Sequence, residues 1–505
     1  MAMVADNTPI IVGSSQTVDR QATVERHTEP LAMLAISAKH AAEDAGITES
    51  VLAGVDTVAL VGVSGWNPQN APDLLAEQLH AKPRHLYTTG IGGQMGVQLT
   101  NFIAEKILSG ESEFATIGGC NNLRVLLQAI AKKVRLPWQR GGNGAPFQVG
   151  GDEPGNNDLE NKYGLNNPTD IYPIFENALR AKMELSIEQH KATMGSLFAK
   201  FTEVAERNSY AWFPTRRSAE ELTTVTDTNR MIAWPYPKYL NAVLNTDQAA
   251  TLIMMSAGKA RKLGIPEEKW IYWLGGANSQ EKAWWPSERP SFTSCPAMKD
   301  TLFSALENSA SEMKDIDYID FYSCFPVAVE MACQMSGLDL DDKRGFTVTG
   351  GLPYAGGPAS AYTLHSLATM VNKLRGKTSE KGLVTGNGWY LTKHSAAVLS
   401  SEPHPVSLPK AGLVSSLPSG AMETKPCEVN EKADGTGTIE AYTVKYGRDG
   451  QPDKGIVLGR TDAGERFMSN TDNDKEFLLD FVSTEQVGSR GSVKFNEGSS
   501  LFTPD

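Results

Sequence analysis

Cysteine is scarce: five in 505 residues (Cys120, Cys295, Cys324, Cys333 and Cys427), odd in number and without a CxxC pair. That pattern excludes a disulfide framework and points to a reducing, cytoplasmic setting. Histidine is almost as sparse, and its eight copies show no metal-ligand spacing, so no metal site is expected. No apolar run approaches the roughly 18 residues of a membrane span, and no apolar signal core opens the chain. Basic charge is in deficit. With 47 Lys and Arg against 59 Asp and Glu, the net charge of −12 argues against nucleic acid or an anionic membrane as a general partner. The glycine-rich loop 141–157 lacks the Lys-Ser/Thr of a nucleotide-binding P-loop. What remains is 40% apolar and 21% charged, an ordinary globular composition, long enough for about two to four domains.

The pattern of elements is α/β. Pro9 to Gly13 reads as a strand, and Glu29-Pro30 opens a helix with Leu31, Leu34, Ala35, Ala38, Ala41 and Ala42 on one face. Residues 56–63 form a continuous apolar run, as buried parallel strands do, and a short helix follows over 73–81. A glycine-rich turn over 85–96 leads to a helix through Phe102 and Ile107, then a strand over 114–117 ended by Gly118-Gly119. From Cys120 the alternation stops; the basic cluster Lys132, Lys133, Arg135 and Arg140 and helical segments within 174–211 read as an inserted subdomain. Alternation resumes at 249–255 and 270–274, continues through a helix over 298–313 and strands at 318–322, 382–388 and 396–399, and suggests a duplicated unit. Six Gly and Pro residues crowd the stretch from Thr349 to Ser360 before a helical run from Ala361, a place where backbone amides approach a ligand. Prolines 405, 409, 418 and 426 mark a linker. Strand-like runs at 438–446, 455–459, 466–469, 477–482 and 493–495 then predict a small closed or half-closed β-barrel. The implied units are 1–120 with 236–260, the insertion 121–235, 261–403, a linker 404–426 and a β domain 427–505.

Five short motifs stand in a telling order. They are Gly92-Gly93-Gln94-Met95-Gly96 before a helix ending at Ser109-Gly110, the strand 111–120, Thr246-Asp-Gln-Ala-Ala250, Tyr322-Ser-Cys-Phe325, and the loop 350–358. Together, over residues 9 to 403, they resemble the thiolase superfamily, nearest the branch of the sterol-carrier-protein thiolases. The resemblance implies a duplicated thiolase fold (layered αβαβα) with a helical loop-domain insertion and an added, OB-like C-terminal β domain. That domain resembles the OB-like chains recruited by some thiolase-like aldolases, without their zinc-ribbon cysteines.

In that family a thiolate at a helix N-terminus, a histidine and a second cysteine carry the chemistry, and backbone amides hold the thioester oxygen. Here Gly93 stands at the nucleophile position, Gly357 at the base position, and no cysteine lies near Val384 or Thr385. An acyl-cysteine mechanism is therefore excluded as the family runs it, and no thiol is expected beside an imidazole in the pocket. Candidate replacements are Tyr322, His365, His394 and, last, Ser323. Each has a plain alternative: a core tyrosine, a structural helix histidine, a surface histidine, an isolated serine. By the same mapping Gly92, Gly93, Gln94, Gly356 and Gly357 line the thioester site, and Lys132, Lys133 and Arg135 meet the phosphates of coenzyme A. The resemblance implies acyl-CoA as ligand or substrate with no other cofactor, and a homodimer through sheet edges unless the added domain covers that edge and leaves a monomer. Three functions stay open: an acyl-CoA-binding protein with acyltransferase or carbon–carbon lyase activity in lipid metabolism, a non-catalytic acyl-CoA or lipid binder or scaffold, and an orthodox acetyl-CoA C-acetyltransferase.

Overall fold

A computed structural model describes residues 4–405, 412–418 and 425–505. Two half-sheets share one hydrogen-bonded path. The first half comprises β1 (Pro9–Val18), β2 (Thr57–Leu60), β3 (His85–Thr89), β4 (Phe114–Asn122) and β8 (Asp247–Ser256). The second comprises β9 (Ile271–Gln280), β10 (Tyr318–Asp320), β11 (Lys381–Gly388) and β12 (Lys393–Ser400). With β5 (Phe147–Val149) the order is β10-β11-β12-β9-β1-β8-β4-β2-β3-β5. β1 pairs antiparallel with β8 along its length (Ile10↔Met255), whereas β2 pairs parallel with β3 and β4. Both faces of these strands are covered, which is why they read as unbroken apolar runs.

Between the half-sheets lie the helices Met95–Leu108 and Tyr362–Leu374, whose Val97, Leu99, Ile103, Leu364, Leu367 and Val371 form one buried cluster with Ile117, Leu252 and Val384. Helices Pro30–Ala45 and Pro296–Asn308 cover the outer faces, which completes the αβαβα layering. Helix Pro30–Ala45 starts on the proline and ends at Gly46 in the left-handed conformation (φ 76°), as its sequence predicts. Gly118 and Gly119 do not end β4. A Cβ on Gly119 would sit 2.9 Å from the Ala361 Cβ, so the glycine lets the Ala361 turn press on the sheet.

Two segments outside the α/β alternation add strands. The edge of β3 is covered by β5 (Tyr87↔Phe147, Thr89↔Val149), which comes from the insertion and not from the C-terminal domain. Part of the expected linker is ordered: β13 (Val414–Pro418) runs parallel to β9 (Val414↔Gly276). Pro409 of that linker lies outside the described residues.

The C-terminal domain is a closed five-stranded barrel. β14 (Gly435–Tyr446), β15 (Pro452–Thr461), β16 (Arg466–Asn470), β17 (Arg490–Asn496) and β18 (Ser499–Pro504) follow the order β15-β16-β18-β17-β14, and β14 pairs with β15 to close it. The strand expected over 477–482 is instead the helix Lys475–Phe481. Asp474 caps it by accepting from the Phe477 amide, and Leu478 and Phe481 are buried three residues apart, a helical spacing. Two short strands, β6 (Met231–Ala233) at the end of the insertion and β7 (Tyr236–Pro237) just beyond it, extend the barrel sheet through Ala233↔Lys445. Helix Pro168–Lys182 seals the junction. Asn177 donates to the Tyr442 carbonyl (2.9 Å), and Arg180 grips Glu485 with both terminal nitrogens (2.5 and 2.9 Å). Among the described residues no helix is long and apolar enough to cross a membrane.

Candidate active site and ligand cleft

The turn between β3 and helix Met95–Leu108 brings Gly93 against the second half of the frame. A Cβ built on Gly93 would lie 2.1 Å from the Tyr322 hydroxyl oxygen and 2.5 Å from the Asn387 carbonyl. The position at which the sequence resemblance sets the nucleophile is therefore crowded by a phenol. Tyr322 follows β10, its amide donates to Thr385 Oγ1 (3.0 Å), and its ring meets Tyr362 edge-on at 5.5 Å. Burial pushes its pKa well above the ordinary tyrosine value, with Cys324 and Tyr362 adding to the shift. No lysine or arginine is among the groups acting on it, which favours the protonated phenol.

The glycine loops offer fewer free amides than expected. Gly92 N–H donates to Ser360 Oγ (3.0 Å), Gly350 N–H to Thr347 Oγ1 (2.9 Å), Gly351 N–H to Thr349 Oγ1 (3.2 Å) and Gly357 N–H to the Val243 carbonyl (2.8 Å). Thr363 Oγ1 donates to the Gly93 carbonyl (3.2 Å) and pins that turn. Where a Cβ on Gly93 would face Tyr322 and Asn387, one on Gly357 would face Val243, Leu352 and Leu244, so the closest contacts at the two positions come from different residues. Gly356 is hemmed in by Gln248 and Trp212.

The remaining candidates separate. His365 is buried on helix Tyr362–Leu374, its Nδ1 2.9 Å from Gln16 Oε1, and burial pushes its pKa down to about 3. That makes it a neutral structural imidazole of the α/β frame. Ser323 is buried, and its hydroxyl crowds the Cβ position of Gly351 beside Phe201; neither histidine bonds it. His394, on β12, is buried rather than on a surface loop. With Tyr322, Thr385 and Asn387 it lines an internal space of about 10 Å³, room for a single water.

The structure also corrects the expectation that no thiol stands beside an imidazole here. Cys295 Sγ lies 3.2 Å from His394 Nε2 and 3.2 Å from Glu281 Oε1, which in turn accepts from the Ala297 amide (3.0 Å). Cys295 caps helix Pro296–Asn308, a place that ordinarily favours a thiolate. Burial and the Glu281 carboxylate win: the thiol is pushed well above its ordinary range and stays protonated. Arg289 sits 4.0 Å from Glu281 and places a counter-charge beside the group. A second buried group, Glu176, His190 and Glu330, also comes together although the sequence offered no metal-ligand spacing.

The basic residues expected to meet phosphate lie at the surface, outside the two clefts described next. Lys132 pairs with Glu25 (2.6 Å) at the surface, Lys133 closes the helix Leu123–Lys132 in the left-handed conformation, and Arg135 is exposed. A cleft of about 640 Å³ instead draws on other cations: Arg20, Arg124, Arg217 and Lys238, with the aromatic faces of Trp212, Tyr239 and Tyr354. Its floor includes Val243 and Pro353, which flank the loop of Gly357. Arg20 donates to the Ala211 (2.9 Å) and Ser209 (2.7 Å) carbonyls, which fixes its position and leaves its charge uncancelled. Arg217 pairs with Glu221 and lies 4.2 Å over the Tyr239 ring; Arg124 lies 5.5 Å from the Trp212 ring. These cations come from distant segments, so no local sequence pattern announces them.

A smaller cleft of about 320 Å³ holds Gln94, Glu153 and a residue the sequence did not single out, Lys393. Its ammonium donates to the Ile91 carbonyl (2.6 Å) between Trp284 and Trp389, and burial pushes its pKa down to about 8. Because the folded value lies below the unfolded one, wild-type stability gains as pH rises from about 8 toward 10.5. Lys393→Met does not share that gain. Its urea midpoint relative to wild type is expected to fall by the equivalent of about 2 kcal/mol between pH 7.5 and 10. A pH-independent difference would mean an ordinary lysine.

Comparison with known proteins agrees with this architecture. Residues 417–498 match the model of the thiolase-like protein type 1 additional C-terminal domain. The crystal structure of a monomeric SCP2-thiolase-like protein type 1 from Mycobacterium smegmatis superposes with a TM-score of 0.83 at 34% identity, covering 99% of this chain and all of that one. An Ltp2-ChsH2(DUF35) aldolase is similar at TM-score 0.61 and 16% identity, covering 79% of this chain and 98% of its own. The dimeric peroxisomal thiolase of Saccharomyces cerevisiae is similar at 0.56 and 14%, covering 79% and 99%. The last two share the fold alone. No curated protein matches the sequence.

Proposed function

This chain belongs to the SCP2-thiolase-like protein type 1 family of the thiolase superfamily, and from that premise we propose that it binds acyl-CoA or a related thioester without forming an acyl-cysteine. The observation that carries the reading is the cleft of about 640 Å³, which gathers four cations and three aromatic faces at the loop of Gly357. Its size falls in the roughly 300–1,000 Å³ range of small-ligand sites. In a chain of net charge −12, a local positive cleft focuses anionic ligands. Phosphates suit Arg20, Arg124, Arg217 and Lys238, and an adenine suits the Trp212 and Tyr239 faces.

The same geometry argues against an orthodox acetyl-CoA C-acetyltransferase, since Tyr322 crowds the expected nucleophile position and Cys295 keeps its proton. A carbon–carbon lyase working through Tyr322 would need that phenol as an acid rather than a base. The non-catalytic acyl-CoA binder is the reading we favour.

Titration calorimetry at low salt with coenzyme A, acetyl-CoA and 3′-dephospho-CoA tests it. Binding is expected to weaken at least about tenfold on Arg124→Glu or Lys238→Glu, and with rising salt, as charge complementarity requires. Absence of heat for every thioester at millimolar concentration, or binding indifferent to both reversals, would remove coenzyme A from this cleft.

A further inference from the structure

We propose that Glu176, His190 and Glu330 together hold one divalent metal ion of the Zn²⁺, Mn²⁺ or Fe²⁺ class. The three come from three helices: Glu176 from Pro168–Lys182, His190 from Ile187–Arg207 and Glu330 from Pro326–Ser336. The first two belong to the insertion and the third to the second half of the α/β frame. The ion would therefore staple one to the other.

Geometry comes first. One donor atom from each residue lies within 4.8 Å of the other two, and His190 Nε2 is 3.8 Å from Glu330 Oε2. Ligands held about 2.1 Å from a common ion stand roughly 3–4 Å apart, so a small movement of side chains completes the site. All three side chains are out of water, at 0–1% exposure.

Charge comes second. Two carboxyl groups face each other, and among the described residues no lysine or arginine bears on either. The groups that do face them are the His190 imidazole, which contacts Glu176 Oε1, and the Tyr236 hydroxyl, which donates to Glu176 Oε2. A buried carboxylate without a counter-charge is costly, and a divalent cation brings two carboxylates and one neutral imidazole to zero net charge. The contrast with the Cys295 group is direct, because there Arg289 already places a counter-charge beside Glu281.

Unsatisfied atoms come third. Glu330, a residue 97% buried, has no donor on either oxygen beyond what it shares with the Glu176 carboxyl, one of its oxygens points at His190, and His190 Nδ1 lacks a partner. Native interiors rarely leave such atoms unpaired. An imidazole with two carboxylates suits a borderline first-row metal; calcium prefers more oxygens and copper(I) prefers sulfur.

The competing arrangement is a trapped proton, with Glu330 neutral beside a Glu176–His190 pair. Glu330→Gln separates the two because glutamine copies a neutral carboxyl but is a poor metal ligand. The first measurement is plasma mass spectrometry on the wild-type chain, purified without chelator and also refolded with Zn²⁺ or Mn²⁺. About one metal per chain is expected. Its removal by a chelator should lower Tm by about 5 °C or more, reversibly on adding the metal back. In Glu330→Gln the metal should be lost or bound at least about tenfold more weakly, and Tm should no longer respond to chelator. A wild-type chain that takes up no metal in either preparation overturns the proposal. So does a metal that survives Glu330→Gln, which would place it elsewhere. The wild-type measurement stands even if the variant does not fold.

Discussion

Gly93→Ala is expected to lower stability by about 3 kcal/mol, the upper part of the range for overpacked sites. The added methyl carbon would lie 2.1 Å from the Tyr322 hydroxyl oxygen and 2.5 Å from the Asn387 carbonyl. The first clash can be relieved by moving a side chain, the second only by moving backbone of β11. Against this, replacing glycine restricts the unfolded chain and returns at most about 1 kcal/mol, so the clash wins. Tyr322→Ala alone should also destabilise, by about 3 kcal/mol, through the cavity it leaves. The double variant should lose at least about 1 kcal/mol less than the sum of the two, because the missing phenol makes room for the methyl. The Asn387 clash persists and keeps the rescue partial. Gly93→Cys carries the same logic into chemistry: a thiol restored there meets the phenol instead of a substrate, and incubation with acetyl-CoA should leave its mass unchanged. Urea denaturation and intact-mass measurement check both. A Gly93→Ala protein as stable as wild type would mean that Tyr322 does not close the site.

That closure shows which part of the site could be read from the chain. That glycine, and neither cysteine nor histidine, stands at 93 and 357 is plain in the chain, where both positions fall in short motifs. What fills the gap is not, since Tyr322 reaches Gly93 only after the two halves are packed together. His394 was placed by sequence near the pocket wall, and it does share a small cavity with Tyr322. Its partner Cys295 carried no signal beyond a Cys-Pro at the start of a helix. Charge in sequence does not say which way a helix turns: the cluster Lys132–Arg135 lies at the surface, and the larger cleft takes Arg124 from the other end of that helix.

The fold was more legible than the site. Strands covered on both faces are continuous apolar runs whatever their direction, and β2, β4 and β8 were legible for that reason. The failures are short or ambiguous segments. β5 has three residues and gains its place by pairing with β3, and β18 followed a run already assigned as the last strand. Phe477 to Phe481 is apolar enough for a strand, and only the Asp474 cap distinguishes the helix.

Arg466→Ala should be the most damaging change in the barrel, at about 3 kcal/mol, and it bears on what the C-terminal domain does. Arg466 is 1% exposed on β16. It pairs with Glu440 (2.8 Å) within the barrel, donates to the Ser287 carbonyl (3.0 Å) and lies 4.8 Å over the Phe292 ring; the last two belong to the second half of the α/β frame. Removing one partner of a buried pair commonly costs about 3–5 kcal/mol. Glu440 is 30% exposed and keeps Arg460 at 3.0 Å, so its orphaned charge is partly compensated and the lower figure applies. Arg466→Met combined with Glu440→Leu, which fills the space and removes both charges, should stay within about 1 kcal/mol of wild type. Equal losses in the two variants would mean that the ion pair, not packing, holds the junction. Neither losing stability would mean that the barrel is tethered rather than docked. With Ala441, Ile456, Leu458 and Met468 of the barrel in the same buried cluster as the α/β frame, docking predicts one unfolding transition for the whole chain, shifted as a unit by Arg466→Ala.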